Sequence, residues 1–201
     1  MYDKKDIYIL GLDIHGAECI DIIKRDGRYN LLGYVSESDA PPDAFATYPV
    51  IGADEAASCD PAVGFIPLHV WKSDCLRDRW VTLADPSAFI ASSAKIGRGC
   101  VIYPNCFIGA NAELGDGVLM LSSTIVNHDC VIGDRVILAS NVTLAGSVRV
   151  GESAYLGQGC NIRQLLSVGP RALVGMGAVV VKDVPEGITV AGNPAGRLYT
   201  R

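Results

Sequence analysis

From Phe89 to Val184 the chain divides into sixteen consecutive hexads, with no residue inserted or lost. They run FIASSA, KIGRGC, VIYPNC, FIGANA and onward to LVGMGA and VVVKDV. The second place is aliphatic throughout, from Ile90 and Ile96 through Met120 and Val126 to Val174 and Val180. The sixth place is small or β-branched in nearly every hexad, and the third is glycine in half of them. A period of six cannot keep to one face of a 3.6-residue turn, so an amphipathic helix is excluded. A short strand with alternating side chains satisfies it: places two and six point inward and place one outward. Such a strand is expected to span about four residues. Places three to five then turn a corner, and glycine at three relieves the backbone there. Three hexads close a triangular coil, and stacked coils set each aliphatic residue on its counterpart in the next.

The same ruler accounts for most of the cysteines. Cys100, Cys106, Cys130 and Cys160 all occupy place six, where a small buried residue is wanted. The chain has seven cysteines, an odd number with no CxxC spacing, which points to reduced thiols rather than a disulfide framework. Against this regular background, IVNHDC at 125–130 sets two titratable groups, His128 and Asp129, side by side at a corner. A metal held by His128 and Cys130 does not suit the pattern, because place six points inward while His128 lies outside; no metal is expected. The residues alone leave two readings of His128, a catalytic base or an idle surface histidine.

The first eighty or so residues follow another rule. DIYILGL reads as a buried strand, GAECIDIIKRDG as a short amphipathic helix with Ile20 and Ile23 inward, and NLLGYVS as a second strand. In this βαβ start, Gly11 and Gly16 flank the turn, with His15 between them, where a helix N-terminus could receive phosphate. SESDAPPDAFATYPVIG reads as surface loop, AVGFIP as a third strand and VWKSDCLRDRW as a second helix, with His69 as a loop histidine between these last two. LADPSA, at 83–88, is an imperfect first hexad, which divides the chain into domains at 1–82 and 83–201. Lys and Arg number 17 against 22 Asp and Glu, for a net charge of −5 with no basic block, which argues against nucleic acid or an anionic membrane as the main partner. No apolar run is long enough to span a bilayer, and MYDKKDIYILGLDIHG lacks the form of a signal peptide, so a cytoplasmic protein is expected.

Both halves together resemble the hexapeptide-repeat sugar acyltransferases, in the branch of the sialic acid O-acetyltransferases and the bacillosamine-pathway N-acetyltransferases. The resemblance rests on LSSTIVNHDCVIGD, LAGSVRVG and the ending VAGNPAGRL, and on GLDIHG in the place of that branch's G-x-x-G-H-G. It implies an α/β, Rossmann-like βαβ domain followed by a left-handed parallel β-helix. It also implies a homotrimer with active sites between subunits, and acetyl-coenzyme A as the acyl donor. In the [EN]-H-[DE]-C-x-I-G segment of that family the histidine is the general base and the next carboxylate orients it; here these are His128 and Asp129. The thioester-facing glycine matches Gly146, and Gln158 and Met176 match positions lining the coenzyme groove; Lys182 could meet a coenzyme phosphate or be an ordinary solvated lysine. Gly11, His15 and Gly16 match the nucleotide-sugar loop. The chain departs from the family pattern at Ile137, where relatives often carry a second histidine, and at Asp13 and Ile14 in the loop. Ser36 and Glu37 stand where some relatives have an acidic pair that reads uracil.

The chemistry suits these residue types. An amine or hydroxyl that attacks a thioester must lose a proton, and neutral imidazole is matched to that task near neutral pH. A carboxylate fixes the tautomer, and a bare backbone N–H at Gly146 can receive the developing oxyanion. The expected activity is N-acetylation of an amino group on a nucleotide-linked deoxysugar in bacterial surface glycan synthesis. Two alternatives stay open: O-acetylation of a sugar of the sialic acid type, and a non-catalytic β-helix that binds sugar or scaffolds an assembly.

Overall fold

The computed structural model describes residues 4–36, 47–69, 71, 74 and 76–198. Its second part is a parallel β-solenoid. Two-residue rungs recur every six residues from Leu83–Ala84 to Val179–Val180 and stack into three ladders. Each rung pairs in parallel with the one a full coil away, as Leu119 with Ile137 and Ile137 with Tyr155. The place-two residues from Ile102 through Met120, Val126, Leu138 and Leu156 to Val180 form the core, with the place-six residues beside them. Ile90, near the open end of the stack, is exposed because no earlier coil covers it. Leu138 is fully buried. Leu138→Ala is expected to lower stability by about 2–5 kcal/mol, read as a lower urea midpoint at unchanged slope.

Two expectations need correction. The rungs are two residues long, not about four, because the corners consume the rest of each hexad. The backbone adaptation sits at place five rather than three: from Gly99 to Gly177 every place-five residue has φ between 54° and 70°. Gly, Asn and Asp tolerate that left-handed conformation best, which accounts for Gly99, Asn105, Asn111 and Asp129 there. Glycine at place three serves spacing instead. A β-carbon on Gly109 would lie 2.7 Å from His128 N, and one on Gly133 2.7 Å from Glu152 N. These glycines let one coil settle onto the next.

The first part is a four-stranded parallel sheet of order β3-β2-β1-β4, formed by β1 (Lys5–Leu10), β2 (Tyr29–Ser36), β3 (Val50–Gly52) and β4 (Gly64–Pro67). Helix α1 (Ile14–Asp26) begins earlier than expected because Asp13 caps it, and Gly27 ends it at φ 73°. Its buried face is Gly16, Cys19, Ile22 and Ile23; Ile20, expected inward, is only partly covered. Val50–Gly52, expected as loop, is a strand followed by helix α2 (Ala53–Ser58); residues 37–46 of that stretch lie outside the described ones. The helix expected over 70–80 is represented by one 3-10 turn, Arg77–Arg79, with residues 70, 72, 73 and 75 outside the described set. Among the described residues no helix is long and apolar enough to cross a membrane.

Side chains fix the sheet against the solenoid. Arg77 reaches Asp116 at 2.9 Å and Asp134 at 2.6 Å, two carboxylates stacked on one prism corner. Arg135 donates to the Trp71 carbonyl at 3.1 Å and pairs with Asp74. The rings and cations interleave, with Trp80 lying beneath the guanidinium groups of both Arg77 and Arg135. Helix α1 packs on the first rung of one ladder, Leu83–Ala84, and in that ladder Val101 and Leu119 are buried although place one faces outward elsewhere.

Candidate active site

His128 and Asp129 occupy the corner between rungs Ile125–Val126 and Val131–Ile132. Asp129 is the place-five residue, at φ 58°, so its side chain turns back toward its neighbour. His128 Nδ1 lies 2.7 Å from Asp129 Oδ2, and the two side chains remain 64% and 50% exposed. One coil below, Asn111 donates its amide to the other carboxylate oxygen of Asp129 at 3.1 Å. The His128 ring N–H, and after it the Asn111 amide, hold the Asp129 carboxyl below its ordinary range. The carboxylate is therefore ionised at neutral pH. What this contact adds to stability is full above the ordinary carboxylate range and is lost as pH falls through the lowered value. When Nδ1 donates to the carboxylate, Nε2 is the nitrogen that carries the lone pair.

Gly146 lies one coil above, on the same edge. A β-carbon there would sit 2.6 Å from both Cε1 and Nε2 of His128, so the imidazole rests on the bare Cα. The neighbouring Ser147 N–H donates to the His128 carbonyl at 2.9 Å, which fixes the two corners in register. Among the described residues, the Gly146 N–H has no hydrogen-bond acceptor. Further along the edge, Ala145, Arg163, Gln164, Leu165 and Leu166 line a hollow of about 400 Å³. Leu165 projects into solvent there at φ 63°, an unusual conformation for a branched residue.

Gln158 and Met176 are brought together on one corner, both exposed, above rungs Tyr155–Leu156 and Leu173–Val174. That corner is a different prism edge from the one bearing His128, so a single chain does not join the two sets. Lys182 follows rung Val179–Val180, in the same ladder as Ile125–Val126 and three coils beyond His128. Cys130, beside the pair, is buried and its thiol is pushed up by burial, as are those of Cys100 and Cys160, both to about 12. These thiols stay protonated and are fillers of the prism. Ile137 is half-buried in the ladder between Leu119 and Tyr155.

In the N-terminal part, Gly11 leaves β1 at φ 98°, and Gly16 is buried in the first turn of α1. The Gly16 N–H is already taken by the Asp13 side chain at 3.1 Å, so the helix start holds a carboxylate of its own. His15 Nδ1 lies 3.3 Å from Glu18 and 3.2 Å from the Tyr103 hydroxyl of the solenoid. Asn111, Tyr103 and Glu18 escaped sequence reading, since each is an ordinary residue at its place. The available signal for Asn111 was its position, one full coil before Asp129.

No protein-family model matches the chain, and no curated protein does. Solved structures do. The acetyltransferase domain of PglB from Neisseria gonorrhoeae FA1090, in complex with acetyl coenzyme A, is 28% identical, with 98% of this chain and 100% of that one covered, at TM-score 0.87. PerB from Caulobacter crescentus, in complex with CoA and GDP-perosamine, is 26% identical over 96% of this chain and 97% of that one, at TM-score 0.85. WeeI from Acinetobacter baumannii AYE is 26% identical over 96% and 99%, at TM-score 0.81.

Proposed function

We infer that this chain, whose structural neighbours are sugar N-acetyltransferases of the hexapeptide-repeat family, transfers the acetyl group of acetyl-coenzyme A to the amino group of a nucleotide-linked amino sugar. The observation that carries the reading is the imidazole at an exposed corner, paired to a carboxylate and seated on a glycine. His128 Nε2 takes the proton as the neutral amine nitrogen bonds to the thioester carbonyl carbon. Asp129 holds the ring and stabilises the imidazolium. The Gly146 N–H receives the oxyanion. Collapse breaks the C–S bond, the proton passes from His128 to the departing thiolate, and amide and coenzyme A result.

The remaining assignments rest on the family resemblance. The solenoid is read as a left-handed parallel β-helix over 83–201, preceded by a Rossmann-like domain over 1–82. We assign the loop from Gly11 to Gly16, His15 included, to the nucleotide-sugar site, and Gln158 and Met176 to the coenzyme groove. A homotrimer is favoured because the His128 edge and the Gln158 edge meet only when a second copy is added. Phe89, Phe107 and Ile125 form an exposed apolar line beside the His128 corner that a second copy would cover. A cytoplasmic setting, where acetyl-coenzyme A is made, suits this chemistry.

The test is release of coenzyme A thiol upon mixing purified protein, acetyl-coenzyme A and a panel of nucleotide-linked amino sugars. A product that gains one acetyl group and keeps it through mild base is the expected amide. An ester cleaved by mild base would move the reading to O-acetylation, and no thiol release with any amino sugar would remove it. Asp129→Asn is expected to lower kcat by at least about tenfold. The fold should persist, since asparagine already occupies place five at Asn105, Asn111 and Asn141. Circular dichroism beside the thiol assay checks both halves of that expectation.

A further inference from the structure

We propose that Asp13, His15 and His69 form a site for one divalent transition-metal ion, of which zinc is the natural candidate. One ring nitrogen of each histidine and one carboxylate oxygen of Asp13 all lie within 4.8 Å of one another. The three come from separate places in the fold: the cap of α1, its first turn and the segment after β4. They converge in a partly enclosed position, with side chains 16%, 21% and 32% exposed in the cases of Asp13, His15 and His69.

Each residue is prepared for the task. The carboxylate of Asp13 divides its work: Oδ1 caps the helix by accepting from Gly16 N, while Oδ2 is buried with no hydrogen-bond donor on it among the described residues. That second oxygen lies 3.2 Å from His69 Nδ1 without a directed hydrogen bond between them, the spacing of two ligands on one ion. The rings of His15 and His69 meet edge to face with centroids 5.3 Å apart. His15 directs Nδ1 to the Glu18 carboxylate at 3.3 Å, which leaves Nε2 for a metal. A metal-binding histidine commonly donates its other N–H to a carboxylate in this manner. Tyr103 donates to the same Glu18 oxygen at 2.9 Å and so holds that outer carboxylate in place. Two imidazoles and one carboxylate are a donor set that suits zinc and leaves a coordination position open. The positive end of α1 opposes a cation, but the Asp13 and Glu18 carboxylates outweigh that partial charge.

The test is isothermal titration of the full-length apo protein with zinc chloride, in the absence of any sugar or coenzyme. One ion per chain is expected. His69→Gln should abolish that stoichiometric binding. Asp13→Asn should weaken it at least tenfold while keeping the helix cap, because asparagine caps as well as aspartate. Glu18→Gln should weaken it by about 10- to 100-fold. His128→Ala should leave it unchanged. A cobalt-substituted sample should show ligand-field bands without thiolate charge transfer, which distinguishes this site from one using Cys130. No stoichiometric zinc binding, or binding that survives His69→Gln and Asp13→Asn, overturns the proposal. Binding lost in His128→Ala would place the ion at the other site and overturn it equally. None of these readouts depends on acetyl transfer, so failure here and failure of the acetyltransferase reading remain distinct.

Discussion

His128→Ala is expected to lower kcat by about 10²- to 10⁴-fold, the usual contribution of a positioned general base. The side chain is mostly exposed and packs only at a prism corner, so its loss should leave the thermal midpoint nearly unchanged. Binding of acetyl-coenzyme A should also persist, because the matching groove residues Gln158 and Met176 lie on another edge. The acidic limb of the pH–rate profile should disappear with the ring, since that limb reports the fraction of base that is unprotonated. Thiol release across a pH series, with acetyl-coenzyme A affinity measured separately, checks all three. A variant that binds the donor and keeps full kcat would end the assignment of the base.

Gly146→Ala should be almost as damaging, for a steric reason. The three heavy atoms nearest to an added β-carbon all belong to the His128 ring, two of them at 2.6 Å and Nδ1 at 3.3 Å. Gly146 is outside the left-handed region, so alanine meets no backbone strain of its own. The ring must therefore move, and it moves against its 2.7 Å contact with Asp129. A displacement near 1 Å at a reacting group costs on the order of 10²-fold in rate. The pair of variants forms a thermodynamic cycle. In the His128→Ala background, Gly146→Ala has room and should cost little further activity or stability. Equal losses of activity from Gly146→Ala in both backgrounds would show that the glycine acts independently of the ring.

Much of the solenoid was legible because its constraint is one-dimensional. A coil stacks on its neighbour through residues a fixed distance apart, so the aliphatic place-two residues declare both the rungs and the core. The role of glycine at place three was misread for the same reason. A sequence shows that a residue is small but not whether a backbone angle or a neighbouring atom demands it. Contacts of Gly109 with the His128 backbone, and the positive φ at place five, show that the two demands fall on different places. The N-terminal part was less legible. Among the described residues its short strand β3 pairs only with β2, and helix α2 carries no long apolar stripe, so neither has a strong local signal.

The candidate sites divide along the same line. His128, Asp129 and Gly146 could be assembled from sequence, since residues eighteen apart in a regular coil are neighbours and the next residue along shares a corner. Asp13, His15 and His69 could not: His69 reaches the helix cap only because β4 pairs beside β1 in the sheet. Periodicity alone determined the prism, its buried ladder and the out-of-pattern pair on its rim. Tertiary structure decided how closely the imbedded glycines approach the next coil, where α1 rests, and which distant polar groups share one space. The reason is that a repeat encodes contacts at a constant sequence separation, whereas contacts between non-repeating elements exist only after the whole chain has packed.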